Sequence, residues 1–82
     1  MMGRWNEADY NEAMASIEWM VREKGYAPSR RELARLIGNT SSACGEKMFR
    51  RLAANGLIEL DPRVSRGVRI TAAGMAAVTE TM

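Results

Sequence analysis

The sequence contains no histidine at all. The commonest metal ligand and the usual general base are therefore absent, and with them the simplest routes to metal or nucleophilic catalysis. Cys44 is the single cysteine, so neither an internal disulfide nor a multi-cysteine zinc site can form, and a reducing compartment is expected. There is no glycine-rich loop of the kind that cradles phosphates. No apolar run approaches the roughly 20 residues that span a bilayer. The start, Met1-Met2-Gly3-Arg4, leads into a polar, acidic stretch and not into a secretory signal core. Repeats and low-complexity segments are missing too. The expectations are therefore no enzyme activity, no metal, no cofactor, no membrane association and a cytoplasmic location.

What is present is an 82-residue chain, 46% hydrophobic and 27% charged. That composition suits one small soluble domain over 1–82, with a core over 6–70 and a C-terminal segment over 71–82. A chain this short buries only roughly 60% of the surface it exposes when unfolded, so its stability margin is thin. The net charge is +2, but it is unevenly spread. Residues 1–20 carry −3, residues 21–70 carry +6, and Glu80 makes residues 71–82 negative. The positive charge thus sits on the middle of the chain. It can be a footprint for phosphates or an ordinary solvated surface.

Asn6 suits an N-cap, with Asp9 in the first turn behind it. Tyr10, Ala13, Met14, Ile17, Met20 and Val21 recur at helical spacing and predict one buried stripe. Gly25 should end this helix. Trp19 lies about half a turn off the stripe. It either offers a surface to a partner, or tucks under the loop after Gly25 or beneath the C-terminal segment.

Ser29 and Glu32 form a capping box for a short second helix over 30–37, with Leu33, Ala34 and Ile37 inward and Gly38 as its left-handed end. Asn39-Thr40 make a turn. Ser41 is the best cap for a third helix running to about residue 54, though Thr40 or Ser42 could serve. Gly45, Met48, Phe49 and Leu52 fall on its inner face, and close approach to the second helix near Ala34 is the expected reason for the mid-helix Gly45. Its outer face carries Ala43, Glu46, Lys47, Arg50, Arg51 and Ala54.

Leu57 to Leu60 alternates as a half-buried strand. Asp61-Pro62-Arg63 signals a turn, and Val68-Arg69-Ile70 is the return strand, with Arg69 outward. Thr71 can cap a last short helix anchored by Met75 and Val78, with residues 79–82 expected to fray. Capped helix, turn, basic helix and basic hairpin, in that order, are the layout of a winged helix-turn-helix. The fold class is therefore mainly α with a small β-hairpin: a three-helix core, a two- to three-stranded wing and a short C-terminal helix.

Residues 10–70 resemble, without a gap, the N-terminal DNA-binding domain of LexA-type repressors. The resemblance rests on Gly25, Pro28-Ser29-Arg30, Glu32, Ala34, Gly38, Ser41, Glu46, Leu52 and Gly56-Leu57-Ile58-Glu59. Its most specific piece is Ser65-Arg66-Gly67-Val68-Arg69. It implies that the third helix, 41–54, reads the major groove of double-stranded DNA and that the wing, 61–69, follows backbone or minor groove. Ser41, Glu46 and Arg66 match the family's pattern. An asparagine that reads bases in the family falls on Ala43 here, and a glutamate falls on Lys47, so a different operator is expected. The 82 residues leave no room for the family's C-terminal self-cleaving domain, so an autoproteolytic damage response is not implied. The start of segment 71–82, Thr71-Ala72-Ala73-Gly74, looks like the end of other small winged-helix regulators.

On residue chemistry, Ser41 donates to phosphate or base from a helix start, and Lys47 and Arg50 reach toward base edges. Arg51, Arg63, Arg66 and Arg69 are placed for phosphates, while Gly67 keeps the wing thin. Glu46 either accepts from a base or pairs with Arg50 four residues on. The expected partners are duplex DNA and a second copy of the chain. The rival is a phage-type inhibitor that uses Trp19 and the acidic first helix against a host or defence protein. DNA affinity and its salt dependence separate the two.

Overall fold

Four helices and one hairpin follow the predicted order in the computed structural model, which describes residues 5–38, 41–64 and 66–81. Helix α1 spans Glu7–Lys24, α2 Arg30–Leu36 and α3 Ser42–Ala54. Strands β1 (Ile58–Leu60) and β2 (Val68–Ile70) precede α4 (Ala72–Thr81). The expected Asn39-Thr40 turn, Ser65 and the terminal Met82 lie outside the described residues.

Local chemistry sets the helix boundaries. Asn6 and Asp9 form a full capping box, with the Asp9 amide donating to the Asn6 side chain at 2.9 Å and the Asn6 amide to the Asp9 carboxylate at 2.8 Å. Gly25 ends α1 at φ 82°, in the left-handed region that glycine enters without a Cβ penalty. Ser29 and Glu32 make the second box. Helix α2 ends at Leu36, one residue before the expected limit, and Ile37 is its half-buried cap. Ser41 holds the cap position of α3, and its carbonyl accepts from the Cys44 amide. Its side chain makes no capping bond.

The core gathers Ala13, Met14 and Ile17 of α1, Leu33 of α2, Met48, Phe49 and Leu52 of α3, Ile58 of β1 and Val78 of α4. Removing this apolar surface from water is the main stabilising term. Helices α2 and α3 pack together, and α4 packs on α1. Gly74 lets α4 lie close both to α1 and to the segment before β1: a Cβ there would lie 2.9 Å from the Met14 Cε and 2.1 Å from the Leu57 carbonyl oxygen. Thr71 ties α4 back to the rest: its hydroxyl donates to the Gly56 carbonyl at 2.6 Å and accepts from the Gly74 amide at 3.0 Å.

Several expectations need correction. Val21 is exposed and does not extend the α1 stripe, which ends at the buried Met20. Met75 is exposed as well; Val78 and the buried Gly74 form the inner side of α4. Helix α4 continues through Thr81 instead of fraying from residue 79, and the Thr79 hydroxyl donates to the Met75 carbonyl. Leu60 is exposed, since the strand has passed the edge of the core there. Gly45 does approach α2, and the atoms it meets are the Arg30 backbone, one turn before Ala34: an added Cβ would lie 1.9 Å from the Arg30 carbonyl oxygen. Trp19 stays 44% exposed, so neither suggested cover buries it.

Candidate DNA-binding surface

Helix α3 is amphipathic by construction. Cys44, Gly45, Met48, Phe49 and Leu52 face the core, which turns Ala43, Lys47, Arg50, Arg51 and Ala54 toward solvent. Its first turn holds no carboxylate. Helix α1 has Glu7 and Asp9 in that position, and α2 has Glu32. The positive end of the α3 dipole, marked by the exposed Ser41, is therefore not offset by an acid in its own first turn.

The hairpin is two-stranded and antiparallel, pairing Ile58 with Ile70, Glu59 with Arg69 and Leu60 with Val68. That register turns Val68 and Ile70 inward and Arg69 outward, as the alternation predicted. Gly67 is required for a tight turn: a Cβ would meet the Asp61 carbonyl oxygen at 2.5 Å and that of Val64 at 2.8 Å. The wing is thin here because backbone faces backbone.

A groove runs between the start of α2, the outer side of α3 and the hairpin. Arg30, Glu46, Arg50, Asp61 and Arg66 all contribute to its walls. Arg63 and Arg69 share the hairpin's own concave side with Glu59 and Asp61. Lys47 and Arg51 are exposed on α3 outside both linings.

The arginines differ in how firmly they are held. Arg63 pairs with Asp61 at 3.5 Å yet is 89% exposed, and Arg69 pairs with Glu59 at 3.8 Å and is 84% exposed. Arg50 reaches Glu46 at 3.6 Å and is 74% exposed. Exposed pairs of this kind contribute little and exchange readily for another anion. Lys47 and Arg51 hold no ion pair among the described residues. Glu46 does more than pair with Arg50, since Arg30 of α2 also donates to it at 3.3 Å. That bridge spans 16 residues, and spacing within one helix gave no sign of it.

Arg66 departs most from expectation. Its guanidinium is directed inward, onto both carboxylate oxygens of Glu32, and donates to the Ala27 carbonyl at 3.0 Å. It also lies over the Tyr26 ring, 4.5 Å from the centroid. Only 35% of the side chain is exposed. The Arg66 hydrogen bonds, followed by the Ser29 amide, hold the Glu32 carboxyl down at about 2, against the opposing pull of burial. The guanidinium is thus engaged at once by Glu32, Ala27 and Tyr26.

No metal-binding group of three or more His, Cys, Asp or Glu side chains occurs among the described residues, and no described helix is long and apolar enough to cross a membrane.

Comparison with known proteins agrees with this geometry. Residues 10–67 match the family described as LexA DNA binding domain. The LexA repressor of Cellvibrio japonicus (strain Ueda107) is 42% identical over 55 residues, which are 67% of this chain and 28% of the relative. That of Ralstonia pickettii (strain 12J) is 41% identical over 61 residues, 74% of this chain and 28% of the relative. That of Halorhodospira halophila (strain DSM 244 / SL1) is 38% identical over 69 residues, 84% of this chain and 30% of the relative. The match thus spans less than a third of these relatives. With the matched region running from α1 through the hairpin, the chain belongs to the LexA DNA-binding domain family.

Proposed function

We propose that this protein is a transcriptional repressor that acts by occupying a double-stranded operator, without catalysis. The observation that carries this reading is the outer side of α3. Lys47, Arg50 and Arg51 stand exposed there behind a helix start with no acid in its first turn. In the proposed complex, α3 lies in the major groove. Ser41 and the first amides of α3 meet a phosphate, while Lys47 and Arg50 reach base edges, guanine being the usual arginine target. Arg51, Arg63 and Arg69 take backbone phosphates, and Glu46 orients Arg50 and Arg30.

Ala43 and Lys47 stand where the family pattern has asparagine and glutamate, so the preferred site differs from the family's. One small domain covers a modest interface, and tight binding calls for two copies on half-sites spaced by a helical turn or a multiple of one. Contact between copies through Trp19, α1 or α4 is part of this proposal, and the site of action is the cytoplasmic nucleoid. The rival inhibitor reading has the exposed Trp19 in its favour. On the repressor reading, Trp19→Ala leaves the affinity of one copy for a half-site unchanged.

Selection of bound sites from random duplex DNA tests the proposal. Enrichment of a defined half-site, lost in Arg50→Ala, is the expected result. Recovery of unselected sequence by the intact protein would refute it. Sedimentation showing a monomer both free and on DNA would remove the paired-copy part alone.

A further inference from the structure

The distal half of the hairpin is poorly anchored by apolar contact. Each strand has three residues, and Leu60 and Val64 are both exposed. A two-stranded hairpin of this length is marginal in water without packing support. Local bonds close the turn: the Asp61 amide donates to the Gly67 carbonyl, the Val64 amide to that of Asp61 and the Gly67 amide to that of Val64. Among the described residues, the side-chain hydrogen bonds that tie residues 61–67 to the rest of the molecule all come from Arg66. They cross 34 residues of sequence to Glu32 and 39 to Ala27.

Arg66 also adopts φ 58°, the only positive φ at a described non-glycine residue. Such a conformation persists where surrounding contacts over-determine it. Here the contacts are a two-pronged guanidinium–carboxylate pair, a carbonyl and an aromatic face, a set that lysine's single ammonium does not reproduce.

We propose that Arg66 is a positioning residue: clasped by Glu32, Ala27 and Tyr26, it fixes the wing beside α3 so that Arg63 and Arg69 reach the duplex backbone while α3 occupies the groove. This inference rests on the DNA-binding reading above and assigns Arg66 a role other than direct phosphate contact. Glu32 joins two tasks: it closes the α2 capping box and receives the wing. The docking of the hairpin is thereby coupled to the first turn of the helix before α3.

The two roles for Arg66 predict opposite signs in one variant. Glu32→Gln keeps the capping box, in which glutamine also serves, but weakens the clasp. If Arg66 contacts phosphate directly, Glu32→Gln frees it, removes a negative charge and tightens DNA binding. If Arg66 positions the wing, Glu32→Gln loosens binding by about tenfold. The salt dependence then becomes shallower by roughly two, as the phosphate contacts of Arg63 and Arg69 are lost. Arg66→Lys should reproduce both effects, and the double variant should be no worse than either single one. Tighter or unchanged binding by Glu32→Gln overturns the clasp.

A measurement on the wild-type protein covers the case in which the variants fold poorly. The Arg66 side-chain ¹⁵N resonances should show slow, hindered guanidinium rotation free and bound to duplex DNA alike. Release on binding overturns the proposal. Failure of the wild-type protein to bind duplex DNA removes the DNA reading itself. Retained binding with an unaltered Glu32→Gln affinity removes the clasp alone.

Discussion

Replacing Gly45 by alanine pits helix propensity against packing. On propensity alone the change should stabilise α3 by about 1 kcal/mol, since glycine is a poor residue in a helix interior. The structure reverses that sign. The added Cβ would sit 1.9 Å from the Arg30 carbonyl oxygen, 2.8 Å from its carbonyl carbon and 3.2 Å from its Cα. All three are backbone atoms at the start of α2, so no rotamer change relieves the clash. Bringing the oxygen out to an ordinary carbon–oxygen contact of about 3.3 Å means separating the two helices by roughly 1.4 Å. Such a shift loosens the packing of Leu33 against Met48 and Leu52 in the shared core. Overpacking of this kind typically costs about 1–3 kcal/mol, and a clash with backbone that no rotamer relieves belongs at the upper end, about 2–3 kcal/mol, which outweighs the propensity gain. The expected net loss is about 1–2 kcal/mol, or a fall in Tm of roughly 4–15 °C for a domain of this size. Thermal and urea unfolding, followed by circular dichroism, read this directly. DNA affinity should fall further than stability explains, because the shift moves α3 relative to Arg30 and the wing. A Gly45→Ala protein as stable as the wild type, or more so, would refute the close approach.

Three further outcomes follow from the same geometry. Leu52→Ala empties a fully buried position between α3 and its neighbours and should cost about 2–5 kcal/mol in denaturant unfolding. Thr71→Ala loses both the cap on the Gly74 amide and the link to the Gly56 carbonyl. A loss of about 1–2 kcal/mol is expected, with faster amide exchange in α4. Glu32, ordinarily at 4.5, is held at about 2 in the folded protein. Its contribution is therefore complete above pH 4.5 and disappears as the pH falls toward 2. Screening at a carboxylate one-third exposed reduces that contribution to roughly 1 kcal/mol. Unfolding measured from pH 6 to pH 2 should show the wild type losing this much more stability than Glu32→Gln.

The sequence was legible wherever the controlling interaction is local. The Ser29–Glu32 box lies within four residues, and Gly25 and Gly38 mark helix ends by a backbone conformation that needs no partner. The inner side of α3 and the inward Val68 and Ile70 followed from periods of 3.6 and 2. The errors fall where a distant segment decides. Val21 and Met75 share their helices' apolar pattern, yet both stand exposed. Gly45 correctly signalled a close approach, yet only the fold shows that the surface it meets is Arg30. The Arg66–Glu32 clasp joins residues 34 apart, and Glu32 already had a sufficient local role in the cap. The family pattern singled out Arg66 in the wing, but nothing in it tied Arg66 to Glu32. The fold was thus readable to the level of elements and faces, whereas the division of labour among the arginines was not.

The central claim is that α3 and the wing present cations to a duplex, and the salt dependence of DNA binding tests it most directly. With Arg51, Arg63 and Arg69 on phosphates, and Lys47 and Arg50 adding to that count only where they meet phosphate and not base, the logarithm of affinity per copy should fall with the logarithm of salt at a slope of roughly −3 to −5. The slope for Arg50→Ala should be shallower by about one if Arg50 meets phosphate, and unchanged with site preference lost if it reads a base. Binding that ignores salt, or no binding to duplex DNA at low salt, would contradict the claim.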